Sequence, residues 1–452
     1  MSTMLWHENL STMSWHSTPS GMDTPRKRIL FGFKSVPFPL RADGVAVRYF
    51  PIIESMARRH DIDLVVISGR EEELRNLEGL KPFCRKISVL PNPRLSHKNV
   101  LTKCGTYAGF LLPWTPPLSV VAHDGSRVTR AILEQTRGER FDAVVWVGAD
   151  LLPYMLGALP SMSVGKVFVD FIDSPTLWAS RSKERIFRNK LLDRYERWKT
   201  SRWERDVIRR ADGTIYISRV DAEAVSSRHA PVEKKHVIPN GINIPPGVNA
   251  EHASLPSPNI GFLGNMGYPP NIEAVEWLYK EVFVPLRKNH PHLTLVVIGR
   301  YPSRSILDLG EMPGVIVTGG VDDVWPYING IDVFLFPLLQ GAGLKNKILE
   351  AMYARRPVVT TEIGNEGIDA VPGKDFVLCR TPGDFQREAI RLLNSPEERV
   401  RMGSSGHALV AEKFSWDPIL AAYEYLTLGI VPSAEPGSKP QMDPKTPVMG
   451  NR

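Results

Sequence analysis

Short apolar runs alternate with longer amphipathic stretches along most of the chain. The runs that read as strands are, in order, "RILFGF", "DLVVIS", "AVVWVG", "KVFVDF", "GTIYIS", "NIGFLG", "LTLVVIG", "GVIVTG", "DVFLFP", "PVVTT" and "FVLC". Most of them are apolar throughout, which predicts strands that are buried on both faces of a sheet. Strands that alternate with helices in this way predict parallel sheets with helices on both sides.

A cluster of Pro, Asn and Gly in "VIPNGINIPPG" divides this pattern near residue 238. The sequence therefore predicts an α/β protein with two doubly wound, Rossmann-like domains that face a cleft. Ligands of such sheets bind beyond the carboxyl ends of the strands. The predicted parts are a disordered tail (1–25), a first domain (26–237), a second domain (238–413), a helix that crosses back (414–430) and a second disordered tail (431–452).

Length and composition agree with this division. A chain of 452 residues is too long for one ordinary core, and 42% hydrophobic and 23% charged residues are typical of a globular protein. Cys84, Cys104 and Cys379 lie far apart and fit a reducing compartment. The N-terminus has no secretory pattern, and the longest uncharged stretch, residues 106–122, is interrupted by prolines. We expect a cytoplasmic protein without a transmembrane helix or a metal site.

The net charge of +7 is distributed unevenly. From Arg26 to Lys235 there are 37 basic and 24 acidic residues, whereas from His236 to the end there are 19 and 23. A basic half joined to a mildly acidic half indicates that the first half meets an anionic partner. Nucleic acid, a membrane surface and a lipid phosphate are the candidates.

The densest candidate site is "PLLQGAGLKNKILEAM", residues 337–352, which follows a predicted strand and opens a predicted helix. Gly341 and Gly343 let the backbone approach a ligand, and free amides at a helix N-terminus attract anions. Lys345 and Lys347 add two positive charges, which match a diphosphate. Glu350, one helical turn after Lys347, suits sugar or ribose hydroxyls. The alternative is a surface lysine pair at an ordinary helix start; neither a dinucleotide fingerprint nor a P-loop is present.

Several segments together resemble the family 4 glycosyltransferases, and most of all the branch found in bacterial exopolysaccharide clusters. They are "VIPNGIN", "IGFLGNMGYPPNIEAVEWL", "LVVIGRYP", "GGVDDVWPYINGIDVFLFPLLQGAGLKNKILEAMYARRPVVTT" and "GNEGI". The likeness covers about residues 26 to 430 and is strongest in the second half. It implies the two-domain GT-B fold and retaining transfer of a hexose-type sugar from a nucleotide-diphosphate sugar to an acceptor hydroxyl. It implies no cofactor and no required metal, and a lipid-linked or other saccharide as acceptor.

The resemblance also carries over to single donor-site residues. Glu350 matches the second glutamate of the family's E-x7-E pattern, which contacts the ribose, whereas Ala342 stands at the first. Asn265 and Asn271 stand where the family has an Arg and a Lys, so we expect Lys345 and Lys347 to supply the cations. The predicted donor-site residues are Gly44, Asn265, Arg300, Gln340, Gly341, Ala342, Gly343, Leu344, Lys345, Lys347, Glu350 and Glu366. Arg300 as a solvated loop residue and Glu366 as a turn or cap residue are the alternatives.

In the first domain, "PFPLRADGVAVR" follows the first strand, and Gly44 matches the glycine that the family places against donor phosphates and acceptor. Arg41 and Arg48 are then candidate anion partners on the acceptor side. Many relatives carry an acceptor-facing histidine at or near the position of Asp170; a buried aspartate that caps a helix is the alternative. We predict that the catalytic residues are Asp170, Asp173, Lys347 and Glu350.

Residues 181–210 carry 12 basic and 5 acidic residues at helical spacing, together with Trp198 and Trp203. A basic helix with interleaved tryptophans favours an anionic membrane surface, although most such runs are solvated faces. The prediction is a peripheral protein on the inner face of the cytoplasmic membrane, with both tryptophans in contact with acceptor or lipid.

Two other functions remain open. A nucleotide-sugar 2-epimerase of the same fold needs the same diphosphate pocket. A nucleic-acid-binding protein would use the basic helix, but no nucleic-acid-binding motif is present and the predicted pocket lies in the acidic half. We expect no nucleic-acid partner.

Overall fold

The strands form two parallel sheets in the part of the chain that the structure, a computed structural model, describes. The described residues are 25–39, 44–68, 75–91, 107–120, 125–150, 152–181, 189–225, 230–244, 251–341 and 343–430. All eleven apolar runs of the sequence lie in strands of these sheets. Two further strands, Lys86–Pro91 and Lys235–Val237, extend the first sheet.

The first domain contains a seven-stranded sheet among the described residues. Its strands are β1 (Arg28–Phe33), β2 (Asp61–Ser68), β3 (Lys86–Pro91), β4 (Arg140–Val147), β5 (Ser163–Ile172), β6 (Gly213–Tyr216) and β7 (Lys235–Val237). Its helices are α1 (Gly44–Ala57), α2 (Gly125–Thr136), α3 (Leu152–Ala158), α4 (Pro175–Arg181), α5 (Lys190–Arg210) and α6 (Arg219–Glu223). Short 3₁₀ helices lie at Leu77–Phe83, Leu159–Ser161 and Val232–Lys234.

The second domain contains a six-stranded sheet among the described residues. Its strands are β8 (Asn259–Leu263), β9 (Thr294–Ile298), β10 (Val315–Val317), β11 (Val333–Phe336), β12 (Val358–Thr360) and β13 (Val377–Leu378). Its helices are α7 (Pro269–Trp277), α8 (Val284–Asn289), α9 (Arg304–Gly310), α10 (Trp325–Asn329), α11 (Asn346–Tyr353), α12 (Glu362–Asn365), α13 (Pro382–Leu393) and α14 (Pro396–Lys413). A π-helical turn, Leu278–Phe283, joins α7 to α8.

Each sheet reverses its strand order beside its first strand. The orders are β3-β2-β1-β4-β5-β6-β7 and β10-β9-β8-β11-β12-β13. Crevices therefore open beyond the carboxyl ends of β1 and β4 in the first domain, and of β8 and β11 in the second. The predicted site residues follow these strands or their neighbours.

The last helix, α15 (Trp416–Leu428), packs on the first domain although it follows the second. Its Tyr423 hydroxyl lies 3.1 Å from that of Tyr49 on α1. Its buried Glu424 accepts hydrogen bonds or ion pairs from His60 at 2.7 Å and from Arg59 at 2.5 Å. This helix therefore ties the C-terminal end of the chain to the core of the first domain.

Candidate functional site

The loop from β11 to α11 turns sharply at two glycines. Gly341 and Gly343 have φ angles of 128° and 72°, a region that favours glycine. The helix begins at Asn346, and a Cβ atom on Gly343 would overlap Asp173 Oδ1 of the first domain. The second glycine is therefore needed for the turn and also for the close approach of the two domains.

This contact predicts that Gly343→Ala separates the domains as well as straining the turn. Gly373→Ala is the matched control, because Gly373 has a φ of 79° and a Cβ there would meet nothing within 4 Å. We expect about 1 kcal/mol of destabilisation for the control and about twice that for Gly343→Ala. Chemical denaturation and small-angle X-ray scattering measure both effects. Equal losses and equal scattering would show that the contact does not form in solution.

Lys347 lies at the centre of a network that joins α11 to the loop after β8. Its ammonium donates a hydrogen bond to Asn271 Oδ1 and lies 4.9 Å from the centre of the Phe262 ring. Asn271 Nδ2 donates in turn to the carbonyl of Asn265 at 2.8 Å. Burial, followed by the charge of Lys345, lowers the pKa of Lys347 to about 7. An anion beside this lysine would therefore restore its proton and gain a strong partner.

Lys345 lies where the two domains meet. Its ammonium donates a hydrogen bond to the Gly343 carbonyl. Burial lowers its pKa, whereas the carboxylates of Asp173, Glu366 and Asp221 act in the opposite direction. The two lysines thus bring positive charge to the loop from different sides.

Asp173 faces this loop from the end of β5. Its Oδ1 atom is buried without a hydrogen-bond partner among the described residues. Burial, followed by the negative charge of Asp221, raises the pKa of Asp173 to about 7. A buried and incompletely satisfied carboxyl group between two domains is a marker of a functional site.

A cleft between the domains opens beside the same loop. It is lined by Trp178, Arg181, Tyr268, Pro269, Pro270, Gln340 and Gly341. Arg181 closes one side, since its guanidinium binds both carboxylate oxygens of Glu366 at 2.5 and 2.8 Å and the Gly341 carbonyl at 3.2 Å. Gln340 Nε2 donates to Glu273 at 2.8 Å. Two of the predicted donor-site side chains, Gln340 and Glu366, therefore adjoin the cleft.

The remaining predicted donor residues are distributed over both domains. Arg300 follows β9, its carbonyl accepts a hydrogen bond from Met266 at 2.9 Å, and its guanidinium lies 5.2 Å from the Tyr301 ring. Glu350 is half-buried one turn after Lys347, whereas Leu344 is buried in the core and offers only its backbone. Gly44 begins α1 beside open space. Ala342 and Arg41 lie outside the described residues.

The roles predicted for Arg48 and Asp170 are wrong, because the two residues bind each other inside the first domain. Both side chains are fully buried, and Arg48 donates two hydrogen bonds to Asp170 Oδ2 at 3.0 and 2.8 Å. Tyr49 donates to the same oxygen at 2.6 Å, and the amide of Ile172 to the other at 2.9 Å. Neither side chain reaches the surface, so neither can contact an acceptor.

The prediction that Trp203 contacts a membrane is also wrong. Trp203 is 8% exposed and packs in the core against Phe171, whereas Trp198 is 45% exposed. Positions five apart on a helix differ by about 140° in direction, so the two tryptophans cannot share a face. Trp198 stays a candidate for a surface role.

The sequence interpretation missed the first-domain wall of the cleft. Trp178 and Arg181 lie on α4, directly after the end of β5. Tyr268, which precedes α7, was also missed. Trp178 and Tyr268 are 41% and 47% exposed, which is unusual for large aromatic side chains. The rule that ligands bind beyond strand ends could have identified all three.

The described residues contain neither a membrane-spanning helix nor a cluster of metal ligands. No helix among them is long and apolar enough to cross a membrane. No group of three or more histidine, cysteine or acidic side chains in the described ranges could hold a metal ion.

The loop, the two lysines and the crevice beyond β8 and β11 all lie in one part of the second domain. Residues 257–395 match the family model described as "Glycosyl transferases group 1". The second domain is therefore of the group 1 glycosyltransferase type, and it contains the predicted donor residues from Asn265 to Glu366.

Similar proteins extend this result at low identity. A "44.6 kDa protein in cps region" of Klebsiella pneumoniae is 25% identical over 220 residues, which cover 47% of this chain and 55% of that protein. The capsular polysaccharide biosynthesis glycosyltransferase CapM of Staphylococcus aureus is 28% identical over 177 residues, which cover 36% and 45%. The chain thus spans about half the length of the curated relatives it matches.

A solved structure resembles nearly the whole chain. Anabaena Alr3699/HepE in complex with UDP-glucose aligns with a TM-score of 0.59 at 14% identity and covers 90% of this chain and 100% of that chain. At this identity the likeness concerns the fold alone. Together with the two parallel sheets, it confirms the predicted pair of doubly wound domains of GT-B type.

Proposed function

We propose that this protein is a retaining glycosyltransferase that moves a sugar from a nucleotide-diphosphate sugar to a hydroxyl group of a saccharide acceptor. The observation that carries the proposal is the pair of half-buried lysines beside the glycine turn in a domain of group 1 type. Burial lowers the pKa of both lysines, so a diphosphate beside them would favour their charged forms and accept charge-assisted hydrogen bonds from them. The UDP-glucose bound by the structural neighbour Alr3699/HepE belongs to the proposed donor class.

The diphosphate of the donor would lie against the first amides of α11 and the ammonium groups of Lys345 and Lys347. Glu350, one turn further, is placed for the ribose hydroxyls, and Glu366 and Gln340 at the cleft for the sugar. As the bond between the sugar and the diphosphate breaks, negative charge grows on the departing oxygen. The lysines stabilise that charge, which lowers the barrier.

Asp173 supplies the acceptor side of the proposed reaction. When the domains part, its carboxylate can accept a hydrogen bond from the acceptor hydroxyl and hold it towards the sugar carbon. The new bond forms on the face from which the diphosphate leaves, and the departing oxygen takes the hydroxyl proton. The residues thus perform the transfer without a metal or cofactor in any proposed step.

An assay with several nucleotide sugars separates this proposal from its alternatives. Slow release of free nucleotide indicates a transferase, a changed sugar indicates an epimerase, and neither outcome indicates a binding protein. The epimerase is not favoured, because CapM, a relative with a named activity, is a glycosyltransferase. Its role in capsule synthesis also favours an exopolysaccharide or other cell-surface glycan as the product.

The decisive variant is Lys347→Met. We expect UDP, GDP, ADP or dTDP to raise the melting temperature of the parent, and the variant to bind the best of them about 10 to 100 times more weakly. Lys280→Met is the matched control, because the Lys280 side chain is 82% exposed elsewhere in the second domain. A variant that binds nucleotide as well as the parent would refute the diphosphate assignment.

The low pKa of Lys347 also predicts a pH dependence. Above about pH 7 the ligand-free lysine is neutral, whereas beside a diphosphate it is protonated, so binding takes up a proton. Affinity should therefore fall as pH rises above 7, by at most about tenfold per unit. Titration calorimetry of the parent and of Lys347→Met from pH 6 to 9 measures the difference, and the variant should lack this fall.

We also propose that the first domain meets its acceptor at a membrane. A basic first domain and the exposed Trp198 favour an acceptor carried on a lipid at an anionic bilayer surface, on the inner face of the cytoplasmic membrane.

A further inference from the structure

An exposed apolar surface lies on the first domain where residues 107–115 cross α5. We name it the apolar platform; its members are Tyr107, Leu111, Leu112, Trp114, Leu191 and Trp198. Trp114 and Leu111 are 71% and 63% exposed, and Leu191 on α5 is 74% exposed. Large apolar side chains grouped on a surface indicate a contact with another molecule or a membrane.

Buried polar groups of α5 hold this platform in place. Lys199 donates to the carbonyls of Phe110 and Leu112 at 2.7 and 3.0 Å and to Thr115 Oγ1 at 2.7 Å. Tyr195 donates to the Leu111 carbonyl at 2.9 Å and stacks on Trp198, with ring centres 5.6 Å apart. Hydrogen bonds from α5 thus hold the backbone of residues 110–115, while Leu111, Leu112 and Trp114 are exposed to solvent.

Glu196 anchors the far end of the same segment. Its two carboxylate oxygens accept hydrogen bonds from the amides of Leu118 and Ser119 at 3.1 and 2.9 Å. The buried charges of α5 beneath the platform, Glu196 and Lys199, therefore bind polar groups of residues 110–119.

The burial of these charges makes the outer surface of α5 strongly cationic. Of its four acidic residues, Asp193, Glu196 and Glu204 are buried and only Asp206 lies at the surface. Of its eight basic residues only Lys199 is buried; the others are Lys190, Arg194, Arg197, Arg202, Arg205, Arg209 and Arg210. Arg197 pairs with Asp193, and Arg202 and Arg209 pair with Asp206, so the excess rests on Lys190, Arg194, Arg205 and Arg210.

We propose that the apolar platform docks on a bilayer that contains anionic phospholipid, with its leucines and Trp114 inserted at the interface and the α5 cations on the headgroups. Tryptophan beside basic residues is typical of the boundary between lipid and water. A second copy of the chain is a poor occupant, since the cationic surfaces would repel each other. This proposal rests on the proposed function: a glycosyltransferase whose acceptor is carried on a lipid has to reach that acceptor at the membrane.

The same helix connects the platform to the cleft. Glu204 of α5 accepts hydrogen bonds from Ser174 Oγ at 3.1 Å and from the amide of Thr176 at 2.9 Å. These residues directly follow Asp173, and α4, which lines the cleft, packs on α5. Docking through the platform would therefore place the cleft one helix away from the bilayer surface.

The test is co-sedimentation of the full chain with vesicles of phosphatidylcholine alone or mixed with phosphatidylglycerol. We expect the parent to bind the mixed vesicles, and Leu111→Ser/Trp114→Ala to bind about tenfold more weakly. Arg194→Gln/Arg205→Gln should lose about fivefold for each charge, and high salt should remove that difference. Val400→Ser and Arg304→Gln are matched controls, with side chains exposed on the second domain.

Three outcomes would overturn the docking proposal. They are no binding by the parent, parental binding by Leu111→Ser/Trp114→Ala, and a parental dimer that this variant converts to a monomer. Nucleotide binding is measured on every variant by thermal shift, with circular dichroism as the check of folding. Intact nucleotide binding without vesicle binding would refute the platform alone, whereas vesicle binding without any nucleotide binding would refute the proposed enzyme.

Discussion

Replacing Arg48 with methionine is expected to lower the free energy of unfolding by about 3 to 5 kcal/mol, because it leaves a buried carboxylate without its counter-ion. Arg48 and Asp170 are both fully buried. Arg48 Nη1 also donates to the carbonyls of Ile238 and Pro239 at 3.0 and 3.1 Å and to Asn240 Oδ1 at 2.9 Å. One guanidinium therefore holds α1, β5 and the connection to the second domain together.

Urea denaturation of the parent, of Arg48→Met and of Arg48→Met/Asp170→Asn measures this contribution. The double variant should recover part of the loss, since the remaining amide carries no charge. Arg26→Met is the control, because its ion pair with Asp61 is largely exposed and should contribute no more than about 1 kcal/mol. Equal stability of Arg48→Met and the control would mean that the buried pair does not support the fold.

The fold was predictable wherever strands are buried on both sides. Each of the eleven apolar runs lies in one of the two sheets, because central parallel strands need apolar residues on both faces. The two strands that were missed, β3 and β7, lie at the edges of the first sheet. Edge strands are covered less, and all three residues of β7 are only half-buried. Their sequences therefore carry a weaker apolar signal.

The site was predictable only within one segment of chain. The glycine turn, Lys347 and the start of α11 follow from local sequence, and α11 indeed begins at Asn346. The contact of Gly343 with Asp173 joins positions 170 residues apart, and Arg181 with Glu366 joins positions 185 apart. Such pairs depend on how two domains pack, which no periodicity records.

The buried face of helix α5 could not be predicted from the hydrophobic pattern of the sequence. Its buried face contains Asp193, Glu196, Lys199 and Glu204, so hydrophobicity does not distinguish its inner face from its outer face. Glu196, Lys199 and Glu204 are stabilised by amides, carbonyls and hydroxyls of distant segments, and Asp193 by Arg197 of the same helix. The spacing of Trp198 and Trp203 in the sequence, by contrast, was enough to predict that the two side chains lie on different faces of the helix.

Asp173→Asn is expected to lower kcat of the proposed transfer about 10- to 30-fold, because the neutral amide oxygen accepts a hydrogen bond from the substrate hydroxyl more weakly than the carboxylate does. With saturating donor, the parental kcat/KM for the acceptor should rise with pH and reach half its plateau near pH 7, because the carboxyl is protonated below that pH in the closed, acceptor-free protein. The pH profile of the variant should lack this rise. Initial rates of nucleotide release from pH 5.5 to 9, with acceptor present, measure both effects.

Stability should change in the opposite direction to activity. Burial raises the pKa of Asp173 in the folded state from its ordinary value of 3.8 to about 7, so between these values the unfolded chain holds fewer protons. Stability therefore falls as pH rises through that window, and the loss is complete above it. At pH 8, Asp173→Asn should melt no lower than the parent although it is far less active.

Asp150→Asn, which alters a strand-end carboxylate paired with Lys34, is the control and should keep its rate within about twofold. A fully active Asp173→Asn would reduce this carboxylate to a packing element of the domain contact, whereas a stable and inactive variant would place it on the reacting hydroxyl.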